Sequence, residues 1–179
     1  CCMICYVSAD GQLIYYEKSK NNLLNFNSTY DKVFYGLVSD AKEYIATGDA
    51  SAKYKFTNDA NDFISCNNAN TNYLNFSDRG ELSDFQIPDD HSTPTDKTFS
   101  TFSFDSKEQD LLLSYLNGYN QMLDIILSAV DQKDMSSFRS STFYELYGTK
   151  IDLKNQYTAH YMERIKEKEK NLQFFLHFI

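Results

Sequence analysis

Hydrophobic residues recur three and four positions apart along four stretches of the chain, and this spacing places one apolar stripe on each of four α-helices. The first stripe consists of Leu23, Phe26, Tyr30, Val33, Leu37, Ala41 and Tyr44. The second stretch, about 50–74, carries Tyr54, Phe56, Ala60, Phe63, Ile64 and Leu74. Asparagines crowd residues 67–75, so we expect the second helix to fray towards its end.

The third stripe is the most regular and predicts a helix over 106–131, with Ser106 as its N-cap. Its apolar residues are Leu112, Tyr115, Leu116, Tyr119, Met122, Leu123, Ile126, Leu127 and Val130. The fourth stripe consists of Phe138, Thr142, Leu146, Thr149, Leu153 and Tyr157. It runs into residues 163–170, where neighbouring opposite charges support a helix that is exposed to solvent.

Short polar turns separate the two helices within each half of the chain. Gly48 suits a left-handed C-cap, and Asp49 or Ser51 can accept hydrogen bonds from the first backbone N–H groups of the next helix. A second turn follows the third helix, with Asp134 or Ser136 as the cap of the fourth. The chain therefore contains two helical hairpins, and we expect Gly48 and Asp134 to lie at the same end.

Residues 75–105 connect the two hairpins and are rich in polar turn-forming residues. Pro88 and Pro94 impose extended conformations on the residues before them, which excludes a long helix here. We expect an irregular linker that lies over one end of the bundle. Neither hairpin can bury its stripes alone, so the sequence predicts an all-α fold, an antiparallel four-helix bundle of two long hairpins.

The composition limits the classes of protein to which the chain can belong. Its 179 residues suffice for one domain with its own core. Two prolines and six glycines leave few breaks in secondary structure, as expected of long helices. A formal net charge of -8 excludes a nucleic-acid-binding protein, which needs a basic face to neutralise phosphates.

Residues that commonly bind metals are scattered along the chain. They are Cys1, Cys2, Cys5, Cys66, His91, His160 and His177. Cys2 and Cys5 have the spacing of half a zinc site, but no second pair follows at zinc spacing. The sequence also lacks a glycine-rich phosphate loop and the Glu-x-x-His motif of ferritin-like bundles. We therefore predict no metal site, no cofactor and no enzymatic activity in this segment.

Apolar runs occupy residues 1–8 and 172–179, and both are much shorter than the roughly 20 residues that cross a bilayer. We interpret them as parts of two transmembrane helices that flank a domain spanning 9–171. The domain is then extracytoplasmic and held at the cell membrane by its flanking helices. The alternative is that the first run is a buried strand or helical turn and the second an ordinary helix end that faces the core.

Residues 43–54 read EYIATGDASAKY, in which a helix ends in Thr-Gly-Asp and the next begins with small residues and an aromatic one. This segment resembles the hairpin turn of CHASE3 domains and of four-helix-bundle chemoreceptor sensor domains. The resemblance implies a homodimeric sensor of a small-molecule or protein signal in a bacterial membrane receptor, above all a histidine kinase. A chemoreceptor or diguanylate cyclase sensor, or a helical interaction module without a sensing role, are the alternatives.

A candidate ligand site combines Arg139 with Tyr44 and Tyr54, which we expect near the turn end of the bundle. Arginine can bind a carboxylate through two hydrogen bonds, and tyrosine adds an apolar wall with a polar tip. These residue types favour a small anionic or aromatic ligand. The alternative is an exposed Arg139 that neutralises acidic neighbours such as Asp134.

Overall fold

Four long helices make up most of the structure, a computed structural model that describes residues 2–76, 85–91, 98–99 and 102–178. Within these ranges the side chains of residues 2–8, 76, 98 and 99 are not described. The helices are α1 (Cys2–Thr47), α2 (Ala50–Phe76), α3 (Ser106–Gln132) and α4 (Ser141–His177). The predicted all-α helical bundle is confirmed.

The turn between α1 and α2 has the predicted chemistry. Gly48 adopts a φ of 69°, a left-handed conformation that glycine reaches without steric cost, and its N–H donates to the Tyr44 carbonyl at 2.7 Å. The Asp49 carboxylate accepts a hydrogen bond from the Ser51 N–H at 2.9 Å and caps α2.

Both hairpin turns lie at one end of the bundle. The Tyr44 ring, in the last turn of α1, has the Lys53 ammonium at 5.4 Å and the Lys133 ammonium at 5.8 Å from its centre. Lys53 belongs to the start of α2, and Lys133 follows α3. The structure thus places Gly48 and Asp134 together, as expected.

Aromatic side chains from three helices meet at the centre of the core. The Tyr119 ring of α3 lies 4.9 Å from Phe34 and 5.4 Å from Tyr30, both on α1, and 5.4 Å from Phe63 on α2. All four side chains are almost completely buried. Since consecutive helices pack against each other and α4 also packs against α1, the four stripes close around this cluster.

The predicted stripe of α4 is wrong in its first half by one position. Thr142 and Thr149 are exposed, whereas Phe143 and Lys150 are buried. Lys150 is held at an inward position by an ion pair and by aromatic rings, as described below. A similar one-residue difference occurs on α1, where Phe34 is buried and Val33 only partly so.

The caps of the later helices also differ from the prediction. Asp105, not Ser106, caps α3, because its carboxylate accepts from the Glu108 N–H at 2.8 Å while the Glu108 side chain accepts from the Asp105 N–H at 2.9 Å. After α3, a 3₁₀ helix (Met135–Arg139) intervenes, and Asp134 caps this short helix rather than α4. Ser140 caps α4.

The asparagines of α2 do not fray the helix, contrary to expectation. Asn67 and Asn70 are fully buried, and α2 continues to Phe76. Asn67 donates to the Leu116 carbonyl at 2.9 Å, and Asn70 donates to the Tyr30 hydroxyl at 2.7 Å. These amides join α2 to its neighbours, which offsets their low helix propensity.

The connection between the hairpins contains two strands of two residues each. β1 (Phe85–Gln86) pairs antiparallel with β2 (Thr98–Phe99), so this part of the predicted irregular linker is ordered. Phe85 is fully buried, with its ring 4.7 Å from Phe26. Residues 77–84, 92–97 and 100–101, which include Pro94, lie outside the described residues, and so does most of the predicted path of the linker.

None of the described helices contains an apolar stretch long enough to cross a membrane.

The first run interpreted as part of a membrane helix is largely outside the described residues, which exclude Cys1 and the side chains of residues 2–8, whereas the second run is described up to residue 178. At the end of α4, Phe174 and Phe178 are 67% and 72% exposed. The interpretation of both runs as membrane segments stays a prediction.

Leu123→Ala should lower the free energy of unfolding by about 2–5 kcal/mol, because Leu123 is 1% exposed in the middle of α3. Chemical denaturation of the purified chain measures this loss. The matched control is Leu127→Ala, one turn later on the same helix, where the side chain is 38% exposed and the expected change is about 0.5 kcal/mol or less. Equal losses at both positions would mean that the core face of α3 is misassigned.

Candidate functional site: the charged seam between α1 and α4

An ion cluster joins the first and last helices near the middle of the bundle. Asp31 on α1 accepts from the Lys150 ammonium at 3.1 Å through one carboxylate oxygen and from the Lys154 ammonium at 2.5 Å through the other. Lys150 and Lys154 are four residues apart, so both project from one face of α4. The cluster therefore holds two positive charges and one negative charge.

Lys150 is enclosed by aromatic rings. Its side chain is 0% exposed, and its ammonium lies between 4.8 and 5.4 Å from the centres of four rings. These rings belong to Phe34, Tyr35, Tyr119 and Tyr147. The negative faces of the rings attract the cation, so they replace part of the hydration that the ammonium loses on burial.

The cluster extends into the core through tyrosine hydroxyls. Tyr119 donates to the Asp31 carboxylate at 2.9 Å, and the Tyr115 and Tyr119 hydroxyls lie 2.9 Å apart. Tyr157 donates to the Asn27 side chain. Burial raises the pKa of the Tyr115, Tyr119 and Tyr157 hydroxyls, so they stay neutral and able to donate.

The ionisation of the cluster reflects a competition between burial and charge. Burial favours the neutral form of Asp31, but hydrogen bonds from Lys154, Tyr119 and Lys150 and the Lys150 charge outweigh it and lower the pKa of Asp31. Burial lowers the pKa of Lys150, although Asp31 opposes this effect. The lysine therefore depends on Asp31 to remain charged inside the bundle.

Polar contacts of this kind continue along the line where α1 and α4 meet, which we call the seam. Lys20 pairs with Glu169 at 2.9 Å, and Asn27 donates to the Thr158 hydroxyl at 2.9 Å. Further along, the Tyr35 and Tyr147 hydroxyls are hydrogen-bonded. The contacts run in opposite directions along the two helices, so α1 and α4 are antiparallel.

An open groove of about 600 Å³ lies over the seam. Its walls come from α1 and α4, and it is lined by Leu24, Asn27, Ser28, Asp31, Lys154, Asn155, Thr158 and Ala159. The ion cluster forms part of its wall, with the Lys154 side chain 23% and the Asp31 side chain 20% exposed. A ligand in this groove can therefore reach one lysine of the cluster.

A second polar cluster joins the start of α3 to α4. Arg164 donates to both carboxylate oxygens of Glu108, at 2.8 and 2.6 Å, and His160 lies 2.5 Å from one of them. Asp105, Glu108 and His160 are close enough together to bind a metal ion. The Arg164 guanidinium already forms ion pairs with both carboxylates, which argues for a structural ion pair rather than a metal site.

The structure does not join the residues of the predicted ligand site by direct contacts. Arg139 is exposed at the end of the 3₁₀ helix, Tyr54 is 73% exposed on α2, and Tyr44 is 7% exposed beneath Lys53 and Lys133. No hydrogen bond or ring contact links the three among the residues that the structure describes. A ligand at Arg139 stays a prediction.

Sequence reasoning missed the ion cluster, although a signal was present. Lys150 lies seven residues after Phe143 and seven before Tyr157, which are both buried, so it falls within the inward stripe of α4. A charged residue at such a position indicates an ionic partner inside the bundle. Asp31 follows Tyr30 directly and shows no comparable pattern, so its pairing depends on how the helices meet.

Comparison with protein-family models, with characterised proteins and with solved structures gave no match.

Asp31→Asn should destabilise the chain by about 3–5 kcal/mol, because it leaves the buried Lys150 charge without an anion. Lys150→Met should cost less than about 2 kcal/mol, since Lys154 still neutralises Asp31 and methionine fills the space between the rings. The double variant should be more stable than Asp31→Asn alone. Denaturation curves of the three variants measure these differences, and an equal loss in both single variants would contradict the assigned roles.

The contribution of Asp31 to stability should disappear in acid. Its pKa is lowered in the folded state, so its stabilisation is fully present above the unfolded value near 4 and is lost as the pH falls through the folded value. The difference in unfolding free energy between the natural chain and Asp31→Asn should therefore shrink below about pH 4. Lys150→Met retains the Asp31–Lys154 pair and is the control, since it should keep this acid dependence. A difference that does not change with pH would contradict the assignment.

Proposed function

We propose that the chain is the ligand-sensing domain of a membrane-bound receptor, with a sensor histidine kinase as the output and with the domain outside the cytoplasm. The resemblance of residues 43–54 to sensor hairpins supports this proposal. A chemoreceptor or diguanylate cyclase output would use the domain in the same way. The chain itself would carry the signal and perform no chemistry.

The polar character of the seam is the observation that carries the proposal. α1 and α4 are the two longest helices, and the contacts named along their seam are ion pairs and hydrogen bonds from Lys20–Glu169 to Tyr35–Tyr147. By contrast, the stripe of α3 is buried and apolar over most of its length. Polar pairs can exchange partners after a displacement, whereas interdigitated apolar side chains resist it.

The cluster at Asp31 provides two positions between which α4 could shift. Lys150 and Lys154 are one helical turn apart on α4, and both contact the same carboxylate. A lengthwise movement of α4 past α1 would exchange one lysine for the other at Asp31. A ligand that favours one arrangement would then displace the end of α4 relative to the start of α1, and that displacement would be the signal.

The exposed aromatic side chains near the end of α4 support the proposal that this part of the helix enters a membrane. Phe174, Phe175 and Phe178 are between 47% and 72% exposed, and they lie beyond the Glu169 contact, the last one named on the seam. In the proposed receptor this part of α4 enters the membrane beside α1. Two copies of the domain would pair as a homodimer, as the resemblance implies.

Cross-linking the seam in two registers tests the proposal. The full chain, with its native cysteines replaced by serine, is placed between the membrane spans of a histidine kinase of known output. Lys20→Cys is combined with Glu169→Cys to fix the observed register, or with Gln173→Cys, one turn further, to trap a displaced one. After treatment with a short bifunctional thiol reagent, kinase autophosphorylation should differ by about fivefold or more between the two forms.

Dithiothreitol cleavage of a reducible reagent is the control and should return both forms to the same activity. Equal autophosphorylation in the two cross-linked forms would reject transmission along the seam. It would favour a helical interaction module, in which the positions of α1 and α4 have no effect on an output.

A further inference from the structure

The ion cluster of the seam contains an uncompensated positive charge. Asp31 supplies one negative charge to two ammonium groups, and its carboxylate also accepts a hydrogen bond from Tyr119. Both carboxylate oxygens are therefore already occupied by protein donors. The chain as a whole has a formal net charge of -8, so this local excess of one positive charge is opposite in sign to the overall charge.

Only Lys154 can present this charge to a ligand. Lys150 is enclosed by rings and 0% exposed, whereas the Lys154 side chain is 23% exposed and borders the groove. An ammonium group has three N–H donors. Lys154 uses one on Asp31 and has no second protein partner among the described residues, so it retains donors for a bound anion.

The remaining walls of the groove suit a small molecule with an anionic head and a short apolar part. Ser28 and Asn155 are exposed and can donate hydrogen bonds beside Lys154. Leu24, which is 50% exposed, and Ala159 form apolar patches on opposite helices. Asp31 is the one carboxylate that lines the groove, and Lys150 and Lys154 both contact it.

Two other grooves of the described part have the opposite charge balance. One lies between α1, α2 and residues 89–91 and is lined by Asp40, Asp59, Asp89 and Asp90 with Lys32 and Lys55. The other lies beside α2 and carries two aspartates and one lysine among its charged groups, together with His91. Neither groove has an excess of positive charge, so charge favours the groove over the seam as the binding site of an anion.

We propose that the groove between α1 and α4 binds a small organic monoanion, whose charged head pairs with Lys154 and whose apolar part contacts Leu24 and Ala159. The assignment rests on the proposed function in one respect, because it names the class of ligand that the sensor detects. Binding moves the Lys154 ammonium towards the ligand, so that Asp31 pairs with Lys150 alone. The ligand therefore acts on the same contact that fixes the register of the seam.

Sodium butyrate is a suitable probe, since it combines a carboxylate with a short apolar tail, and 1-butanol and butylamine are its neutral and cationic counterparts. In NMR titrations of the ¹⁵N-labelled full chain, butyrate should cause saturable shifts of the backbone amides of Leu24, Ser28 and Asn155. Lys154→Met should weaken butyrate binding by about tenfold or more, the loss expected for one charge-assisted hydrogen bond. Lys154→Arg, which keeps the charge, should restore most of the affinity.

Lys166→Met is the matched control, because Lys166 is exposed on the same helix and has no ion pair among the described residues. It should change the affinity by less than about twofold. Thermal unfolding must show that Lys154→Met is folded, as expected because Lys150 still neutralises Asp31. Absence of saturable shifts, equal binding of butanol, or unchanged affinity in folded Lys154→Met would overturn the assignment.

The outcomes separate this inference from the proposed function. If butyrate fails to bind while the two cross-linked registers still differ in kinase output, the proposed ligand class is wrong and the proposed sensor function is retained. If butyrate binds at Lys154 but the two registers give equal kinase output, the assignment of the ligand site is retained and signal transmission along the seam is rejected.

Discussion

The buried charge of Lys150 constrains how the four helices can be arranged. An ammonium group without water needs an anion and polarisable neighbours, and here all of these except Tyr147 come from other helices. Asp31 and Phe34 belong to α1, and Tyr119 belongs to α3. Each of these groups must reach the same point, so the cluster fixes the relative heights of α1, α3 and α4.

The two ends of the bundle are held by different kinds of interaction. At the turn end, Gly48 and the caps Asp49 and Asp134 satisfy backbone groups locally. At the other end, Glu108 both completes the capping box of α3 and receives Arg164 from α4. One carboxylate therefore caps α3 and binds α4, at a level of α4 that lies within the span of the polar seam, from Tyr147 to Glu169.

The hydrophobic periodicity of the sequence predicted the helical architecture but not the polar contacts in the interior of the bundle. The bounds of α2 and α3 and the turn at Gly48 followed from local patterns, because backbone caps and apolar spacing act within a few residues, whereas the start of α4 was predicted too early. The ion cluster depends on Asp31 and Lys150, which are far apart in sequence. Asn67 and Asn70 were assigned wrongly for the same reason, since propensity scales rank asparagine as a weak helix former and do not include partners on other helices. The candidate groove could not be predicted, because it depends on how α1 and α4 lie against each other.

The side-chain amide of Asn70 affects whether two molecules of this protein can associate through the edge of β1. It donates to the Gln86 carbonyl at 2.9 Å and accepts from the Gln86 N–H at 2.8 Å, as a neighbouring strand would. A two-residue strand ordinarily offers its outer backbone groups to any extended chain that approaches. With these groups bound to a side chain of α2, Gln86 cannot recruit a strand from a second molecule. The connection between the hairpins is thereby protected against edge-to-edge aggregation at this residue.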